Sequence, residues 1–361
     1  VTVTDKKREE ELKEYLDKLD RGIKTVLGKH PEELFLNSDL IVVSPGVPLS
    51  ITPLKLAKEK GINIFGELEL AYQLIKDQKR NFLAVTGTNG KSTTTALLYE
   101  MVKKSGFNAI LGGNIGNALT GEIGHSDLSN LDYIVAEVSS FQLEGIEDFR
   151  PKVSTILNIT QDHMDRYSKM SDYIDAKCMI FKNQNNEDFL VLNADDPITE
   201  IIKEKLHIKN QRPKTFYFSR QREVKGAYYK DGIIYFNLPE INIPSDFRLY
   251  PQSFKIKGVH NIENAMAASI MALSAGCSIE GIEDAVRSFS GLEHRLEFVK
   301  EIDGIRFIND SKGTNVGAVI KSLEGFEEPV ILIAGGRDKD SDFTILRSQI
   351  KSRVKALILI G

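Results

Sequence analysis

The segment Ala84-Val85-Thr86-Gly87-Thr88-Asn89-Gly90-Lys91-Ser92-Thr93 constrains this chain more than any other. The apolar run Asn81–Val85 leads into it. A helical pattern leaves it, with Leu97, Leu98, Met101 and Val102 on one face and Gly106 as a stop. Glycines let backbone N–H groups turn inward around an anion, and the N-terminus of the following helix adds partial positive charge. Lys91 is placed to reach the outer phosphates, and the Ser92 hydroxyl to ligate Mg²⁺. Val85 stands where the general phosphate-loop pattern has its first glycine. A plain glycine turn is therefore the competing reading, and the strand–loop–helix context favours a triphosphate site. Residues Gly87, Thr88, Asn89, Gly90, Lys91, Ser92 and Thr93 are thus expected to hold a nucleoside triphosphate. They do not say which reaction follows.

Such a unit belongs to a parallel α/β sheet, and the rest of the chain agrees. Strand-like runs occur at Leu40–Ser44, Asn81–Val85, Tyr133–Val138, Val153–Asn158, Asp188–Leu192, Val330–Ala334 and Ala356–Ile360. Most are continuously apolar, as expected of strands covered on both faces. Helical patterns lie between them, among them Ser92–Ser105, Ser171–Asn183 and Asn261–Ala275. Thr215–Asn237 differs: it reads as an antiparallel insertion, with Asp231-Gly232 as a hairpin turn. The 361 residues suffice for two to three domains at roughly 150 residues each. The charged stretch before residue 81 and the segment Ser290–Arg295 suggest domains over 1–80, 81–292 and 293–361.

Composition excludes several classes. Apolar residues are 41% and charged residues 27%, as in ordinary globular chains. Forty-seven basic against 51 acidic residues give −4, which makes no global electrostatic claim on nucleic acid. No apolar run approaches the ~18 residues of a membrane helix. Cys178 and Cys277 alone cannot build a disulfide framework, so a reducing cytoplasm is expected. Val1 is not Met, and the chain stops on the apolar run Ala356–Ile360, so both ends are expected to be cut within a longer protein.

Other residues gather around the phosphate loop in prospect. Mg²⁺ at a triphosphate takes carboxylate and phosphate oxygens. Glu137 ends the run Tyr133–Val138, where ligands collect in an open parallel sheet; a solvent-facing carboxylate is the alternative. His163 follows the next run, beside Asp162 and Asp165, and could serve a second metal position or merely occupy a loop. Lys177 lies at the edge of the stripe Ile174, Cys178 and Phe181. Spacing alone favours a snorkelling surface lysine. If desolvated, it would gain nucleophilicity and could add CO₂ to become a carbamate ligand. Asn261 and Asn264 share a helix face and suit either capping or a base or ribose contact. Arg295 brings a cation to the second boundary. The loop Asn309–Asn315 offers an acid, a cation and a hydroxyl close together.

Taken together these motifs resemble the Mur ligases, the ATP-dependent amide-forming enzymes of peptidoglycan precursor synthesis. The resemblance rests on Ser44-Pro-Gly46, the phosphate loop, Gly112-Gly-Asn-Ile-Gly116, Glu137-Val-Ser-Ser-Phe-Gln-Leu-Glu144 and Asp162-His-Met-Asp-Arg-Tyr167. It continues through His260-Asn261 with Asn264, His294-Arg295 and Asn309-Asp-Ser-Lys-Gly-Thr-Asn315. Phe141-Gln-Leu and Asp310-Ser-Lys are similar to the branch that adds D-glutamate to UDP-N-acetylmuramoyl-L-alanine. The resemblance implies three α/β domains, Rossmann-like at both ends around the phosphate-loop domain and incomplete at both chain ends. It implies a cytoplasmic monomer serving cell-wall biogenesis, and with it cell shape and division. ATP would lie on residues Gly87 to Thr93, with Asn261, Arg295 and Asp310 touching the nucleotide. Ser92 and Glu137 would bind one Mg²⁺; His163 and a carbamylated Lys177 would serve a second. Asn114 and Ser139 would contact the UDP-muramoyl substrate, and Lys312, Thr314 and Lys339 the D-glutamate. Lys91, Glu137, His163 and Lys177 would form the catalytic set. The family's first strand and glycine-rich uracil loop are not found before Val1, nor its final segment after Gly361. The competing functions are a sister ligase adding another amino acid, a folylpolyglutamate synthase, a nucleotide switch, and a scaffold that binds no ATP.

Overall fold

The computed structural model describes residues 1–78, 80–208, 212–326, 328–336 and 342–360. Four short strands open the chain in two parallel pairs: β1 (Thr2–Asp5) with β2 (Lys24–Leu27), and β3 (Leu40–Val43) with β4 (Asn63–Gly66). Helices α1 (Glu9–Leu16), α2 (Glu32–Leu36) and α3 (Thr52–Glu59) connect them. Phe35, Val43, Leu54 and Ala57 form a small core under the second pair. Helix α4 (Glu67–Ile75) follows β4 directly, yet it packs against the next body. Leu68, Ala71 and Ile75 enter the same apolar cluster as Phe82 and Ala84. The fully buried Glu69 carboxylate accepts the backbone N–H groups of Glu147, Asp148 and Phe149.

The central body is a nine-stranded sheet. Its strands are β5 (Asn81–Thr86), β6 (Ala109–Gly113), β7 (Tyr133–Glu137), β8 (Val153–Ile156), β9 (Phe189–Asn193), β10 (Lys214–Ser219), β11 (Gly226–Lys230), β12 (Ile233–Asn237) and β13 (Arg248–Leu249). Its helices are α5 (Lys91–Lys104), α6 (Leu119–His125), α7 (Ser140–Glu144), α8 (Met170–Cys178), α9 (Ile198–His207), α10 (Val259–Ser274) and α11 (Ile279–Ser288). Along β5, Leu83 and Val85 join one cluster with Leu97 and Met101 of α5 and Ala268 of α10. Phe82 and Ala84 join the opposite one with Leu143 of α7 and Tyr173 of α8. Both faces are covered, which is why this strand reads as an unbroken apolar run.

The sheet order is β13-β12-β11-β10-β9-β8-β5-β7-β6. The chain leaves β5 for β6 and β7 on one side, then crosses to β8 on the other. The carboxyl ends of β5, β7 and β8 therefore flank a topological switch point, where ligands collect in open α/β sheets. Thr215–Asn237 corrects the sequence reading. Its first strand, β10, pairs parallel with both β9 and β11, and antiparallel pairing starts only at β11–β12. Asp195 accepts Ser219 Oγ at 2.6 Å and Arg220 N at 2.7 Å, anchoring the start of the loop from β10 to β11. The antiparallel part is β11 to β13, and it continues the edge of the main sheet. The Asp231-Gly232 turn has φ of 51° and 82°, as its hairpin requires.

Beyond residue 293, β14 (Glu297–Ile302) and β15 (Ile305–Asn309) form a hairpin. Helix α12 (Val316–Glu324), strand β16 (Val330–Gly335), helix α13 (Arg347–Arg353) and strand β17 (Val354–Ile360) follow, with β16 and β17 parallel. Most apolar runs read as strands covered on both faces, but here Ile331, Ile333 and Leu357 to Ile360 are exposed, with α13 packed against β17. Among the described residues no helix is long and apolar enough to cross a membrane.

Candidate active site

The phosphate loop joins β5 to α5, and its shape is fixed from the end of β8. Asn158 clamps Asn89 with a two-way amide pair: Asn89 N donates to Asn158 Oδ1 at 2.8 Å, and Asn158 Nδ2 donates to Asn89 O at 3.0 Å. Thr88 N donates to Asn158 O at 2.8 Å, and Thr160 N donates to Thr88 Oγ1 at 3.0 Å. Gly90 begins α5 with φ of 86°, and a Cβ there would lie 2.5 Å from Asn264 Oδ1. Only glycine meets both conditions. The loop is thus held with its first helical turn pointed at the switch-point crevice, the arrangement that binds phosphate.

Two lysines point into this loop. Lys91 Nζ donates to Thr88 O at 2.8 Å, and Lys177 Nζ donates to Gly87 O at 2.7 Å. Lys177 is 1% exposed, which overturns the snorkelling reading that spacing alone favoured. Burial, the largest cause, pushes its ammonium well below the ordinary lysine range; the Lys91 charge adds to this, and Asp162 and Glu137 oppose it. Burial lowers Lys91 too, against the pull of Glu137 and Asp162.

Glu137 closes β7, level with Val85 of β5 and Gly113 of β6. It is 2% exposed, so it does not face solvent. Asn114 Nδ2 donates to its Oε1 at 2.9 Å, while Oε2 is buried without a hydrogen-bond partner. A carboxylate oxygen buried unpaired is costly and fits a cation ligand that takes other oxygens from phosphate and water. Among the described residues no three His, Cys, Asp or Glu side chains gather into a metal cluster. Any cation here therefore needs oxygens beyond these side chains.

His163 lies in the β8–α8 connection with φ of 56°. Its Nε2 is 3.8 Å from Asp162 Oδ2, and its ring meets Phe141 edge-on at 4.9 Å. Ser139 caps α7, accepting Gln142 N at 3.3 Å.

The later residues divide into two groups. Arg295 Nη2 donates to Ser92 Oγ at 2.8 Å, which places a permanent cation on the loop's hydroxyl. Asn315 caps α12 and donates through Nδ2 to Asn89 Oδ1 at 3.1 Å and to Asp162 Oδ2 at 3.3 Å. Thus two separate contacts carry residues beyond 293 to the loop. Asn261 and Asn264 are buried: Asn261 Nδ2 donates to Lys257 O, Asn264 Nδ2 to Asn261 Oδ1, and Thr94 Oγ1 to Asn264 Oδ1. They buttress α5 from α10. Asp310 is occupied locally, accepting Leu296 N at 3.1 Å and the Ser322 hydroxyl. Lys312 and Thr314 are exposed on the loop before Asn315. Lys339 lies outside the described residues. Sequence reasoning gave no role to Asn158 or Asn315. Asn158 ends a strand-like run and Asn315 ends the Asn309–Asn315 motif, and no spacing rule ties either to Asn89.

The arrangement sets a helix N-terminus, two lysines and Arg295 around one loop, with the buried Glu137 carboxylate at the neighbouring strand end, a setting chemically suited to a triphosphate.

Comparisons with known proteins agree. The family described as the Mur ligase middle domain matches residues 85–272, and the Mur ligase MurD-like N-terminal domain matches residues 1–66. The UDP-N-acetylmuramoylalanine–D-glutamate ligase of Geotalea daltonii is 47% identical over 100% of this chain and 77% of its own length. That of Caldanaerobacter subterraneus is 44% identical over the same shares. Among solved structures, MurF from Acinetobacter baumannii has a TM-score of 0.65 at 18% identity, covering 89% of this chain and 71% of that one. The UDP-N-acetylmuramate–alanine ligase MurC from Thermotoga maritima has a TM-score of 0.58 at 21% identity, covering 100% and 84%. At such identities the two structures speak for the fold alone.

Proposed function

The chain belongs to the Mur ligase family, and from that premise we propose that it joins D-glutamate to UDP-N-acetylmuramoyl-L-alanine with ATP, releasing ADP and phosphate. Relatives bearing that activity in their names match the whole chain at 44–47% identity. The observation that carries the reading is the meeting of Lys91, Lys177, Glu137 and Arg295 around one phosphate loop. The fold is α/β with three-domain Mur ligase architecture. The division at residues 80 and 292 is part of the proposal, with α4 as the first domain's arm on the central one.

The chemistry explains the cations. The substrate carboxylate attacks the γ-phosphorus, ADP leaves, and an acyl phosphate forms. The amine of D-glutamate then adds to the acyl carbon, loses a proton, and phosphate leaves as the amide forms. An anion must approach an anion in the first step, so positive charge is required. Lys91 and Arg295 supply fixed charge at the outer phosphates and at Ser92. Ser92 and Glu137 would hold Mg²⁺ at one position, and His163 and a carbamylated Lys177 at a second, where the ions would supply the remaining positive charge. Asn261 and Asp310 border the nucleotide, Asn114 and Ser139 the UDP-muramoyl group, and Lys312, Thr314 and Lys339 the amino acid. Acyl phosphates hydrolyse, so residues beyond 293 exclude water by closing on the loop through Arg295 and Asn315. Cytoplasmic action as a monomer completes the reading.

The test is ADP release with UDP-N-acetylmuramoyl-L-alanine and a panel of D- and L-amino acids. D-glutamate alone should support turnover. Turnover with another amino acid would point to a sister ligase, and release independent of any amino acid to a nucleotide switch. Either result overturns the assignment.

A further inference from the structure

We propose that Glu144 is a positioning residue that holds the turn carrying His163, so that one short helix sets both candidate metal positions. This rests on the reading of Glu137 and His163 as metal ligands.

Helix α7 begins three residues after Glu137 and is fixed at both ends. Ser139 N donates to Gln142 Oε1 at 2.9 Å, and Gln142 N donates to Ser139 Oγ at 3.3 Å, a reciprocal capping box. At the other end Gly66 N donates to Gly145 O at 2.9 Å, which seats α7 on the start of α4. Phe141 and Glu144 are three residues apart and share a face. Glu144 Oε2 accepts Arg166 Nη2 at 2.7 Å, and its Oε1 accepts Tyr167 OH at 2.7 Å. The backbone N–H groups of Arg166 and Tyr167 donate in turn to His163 O at 2.9 and 3.0 Å. Phe141 completes the grip: its ring stacks on Tyr167 at 5.9 Å and touches the His163 ring at 4.9 Å.

A histidine at φ of 56° is held in a sparsely populated backbone region, and its surroundings must impose it. Glu144 and Arg166 are the means. Their side chains are 24% and 21% exposed, so the charge-assisted bond is shielded from much of the screening that weakens surface pairs. Both Glu144 oxygens are engaged inside the protein, which marks a residue that acts through others. Supporting groups of this kind change metal affinity by about 10–100-fold when removed.

The test uses Mn²⁺ as the probe. Binding in the presence of ADP is followed by paramagnetic resonance, together with hydrogen exchange at the Arg166 and Tyr167 amides. Glu144→Ala should weaken Mn²⁺ binding about tenfold or more and speed exchange at both amides, with metal-free ADP affinity unchanged. Glu144→Gln, which retains an acceptor for Tyr167, should fall between. Arg166→Ala carries the test if Glu144→Ala does not fold. His163→Ala is the reference. If it weakens Mn²⁺ binding while neither Glu144 nor Arg166 variants do, the positioning role is overturned and the ligand reading stands. If His163→Ala itself changes nothing, the ligand reading falls and this inference falls with it.

Discussion

Replacing Gly90 with alanine should destabilise the central body by about 2–4 kcal/mol and impair nucleotide binding. Two costs add. The backbone at φ of 86° suits glycine, and holding an alanine there costs about 1–3 kcal/mol. The new Cβ would also stand 2.5 Å from Asn264 Oδ1, closer than such atoms approach, so the amide must turn away. Turning it breaks the bonds to Thr94 Oγ1 at 3.2 Å and to Asn261 Oδ1 at 3.1 Å in a buried setting, at about 1–3 kcal/mol. The reduced freedom of the unfolded chain returns about 0.4–1 kcal/mol. A body of about 200 residues loses roughly 2–4 °C per kcal/mol, so melting should fall by about 5–15 °C. The assay is thermal unfolding of the protein with and without ATP. Gly232→Ala is the reference: φ is 82° and nothing lies within 4 Å, so it carries the backbone cost alone. Combining Gly90→Ala with Asn264→Ala removes the clash, and the double variant should be more stable than the sum of the singles by about 1 kcal/mol or more. If Gly90→Ala costs no more than Gly232→Ala, or if the pair is additive, the buttress is not what shapes the loop.

Three further outcomes are expected. Lys91→Ala should abolish ADP formation with the fold retained, and near-normal turnover would remove Lys91 from the chemistry. Lys177→Ala should lose activity that added short carboxylates partly restore. Only the neutral amine adds CO₂, and burial lowers the Lys177 pKa, so Lys177 should carbamylate more readily than an exposed lysine at the same pH; mass spectrometry under native conditions should show the added CO₂, and full activity in the variant would refute the role. Burial lifts Cys178 to about 12 and Cys277 to about 11, so at pH 8 neither thiol should alkylate until the protein unfolds; rapid modification of the native protein would contradict their burial.

Local chemistry made much of the fold legible. The strand–loop–helix at Asn81–Lys104, the apolar runs of β7, β8 and β9, and the Asp231-Gly232 turn are each dictated by residues close together in the chain. What escaped depends on distant partners. Strand β10 pairs parallel with both β9 and β11, and no pattern within Thr215–Asn237 encodes that direction. Helix α4 reads as the end of a first domain because charge follows it. Its apolar face instead completes the core behind Phe82, and Glu69 is spent on three amides some 80 positions later.

The site was legible by residue type and not by wiring. Lys177 is the sharpest case. Counting along α8 sets it beside the apolar stripe, where a long side chain can reach water. It does not reach water, because β5 ends directly over α8 and presents the Gly87 carbonyl at 2.7 Å, a partner that only the sheet order supplies. Asn261 and Asn264 are also legible only by type: as isolated amides they suit a base or ribose, and the fold adds that they bond to each other and that Asn264 accepts Thr94 Oγ1. Phosphate loops are backbone sites, so their geometry is set by what packs beneath them. In this chain that support comes from Asn158, Asn264 and Asn315, three amides on three elements far apart in sequence. Changing any one should alter nucleotide affinity without removing a charge that touches the phosphates.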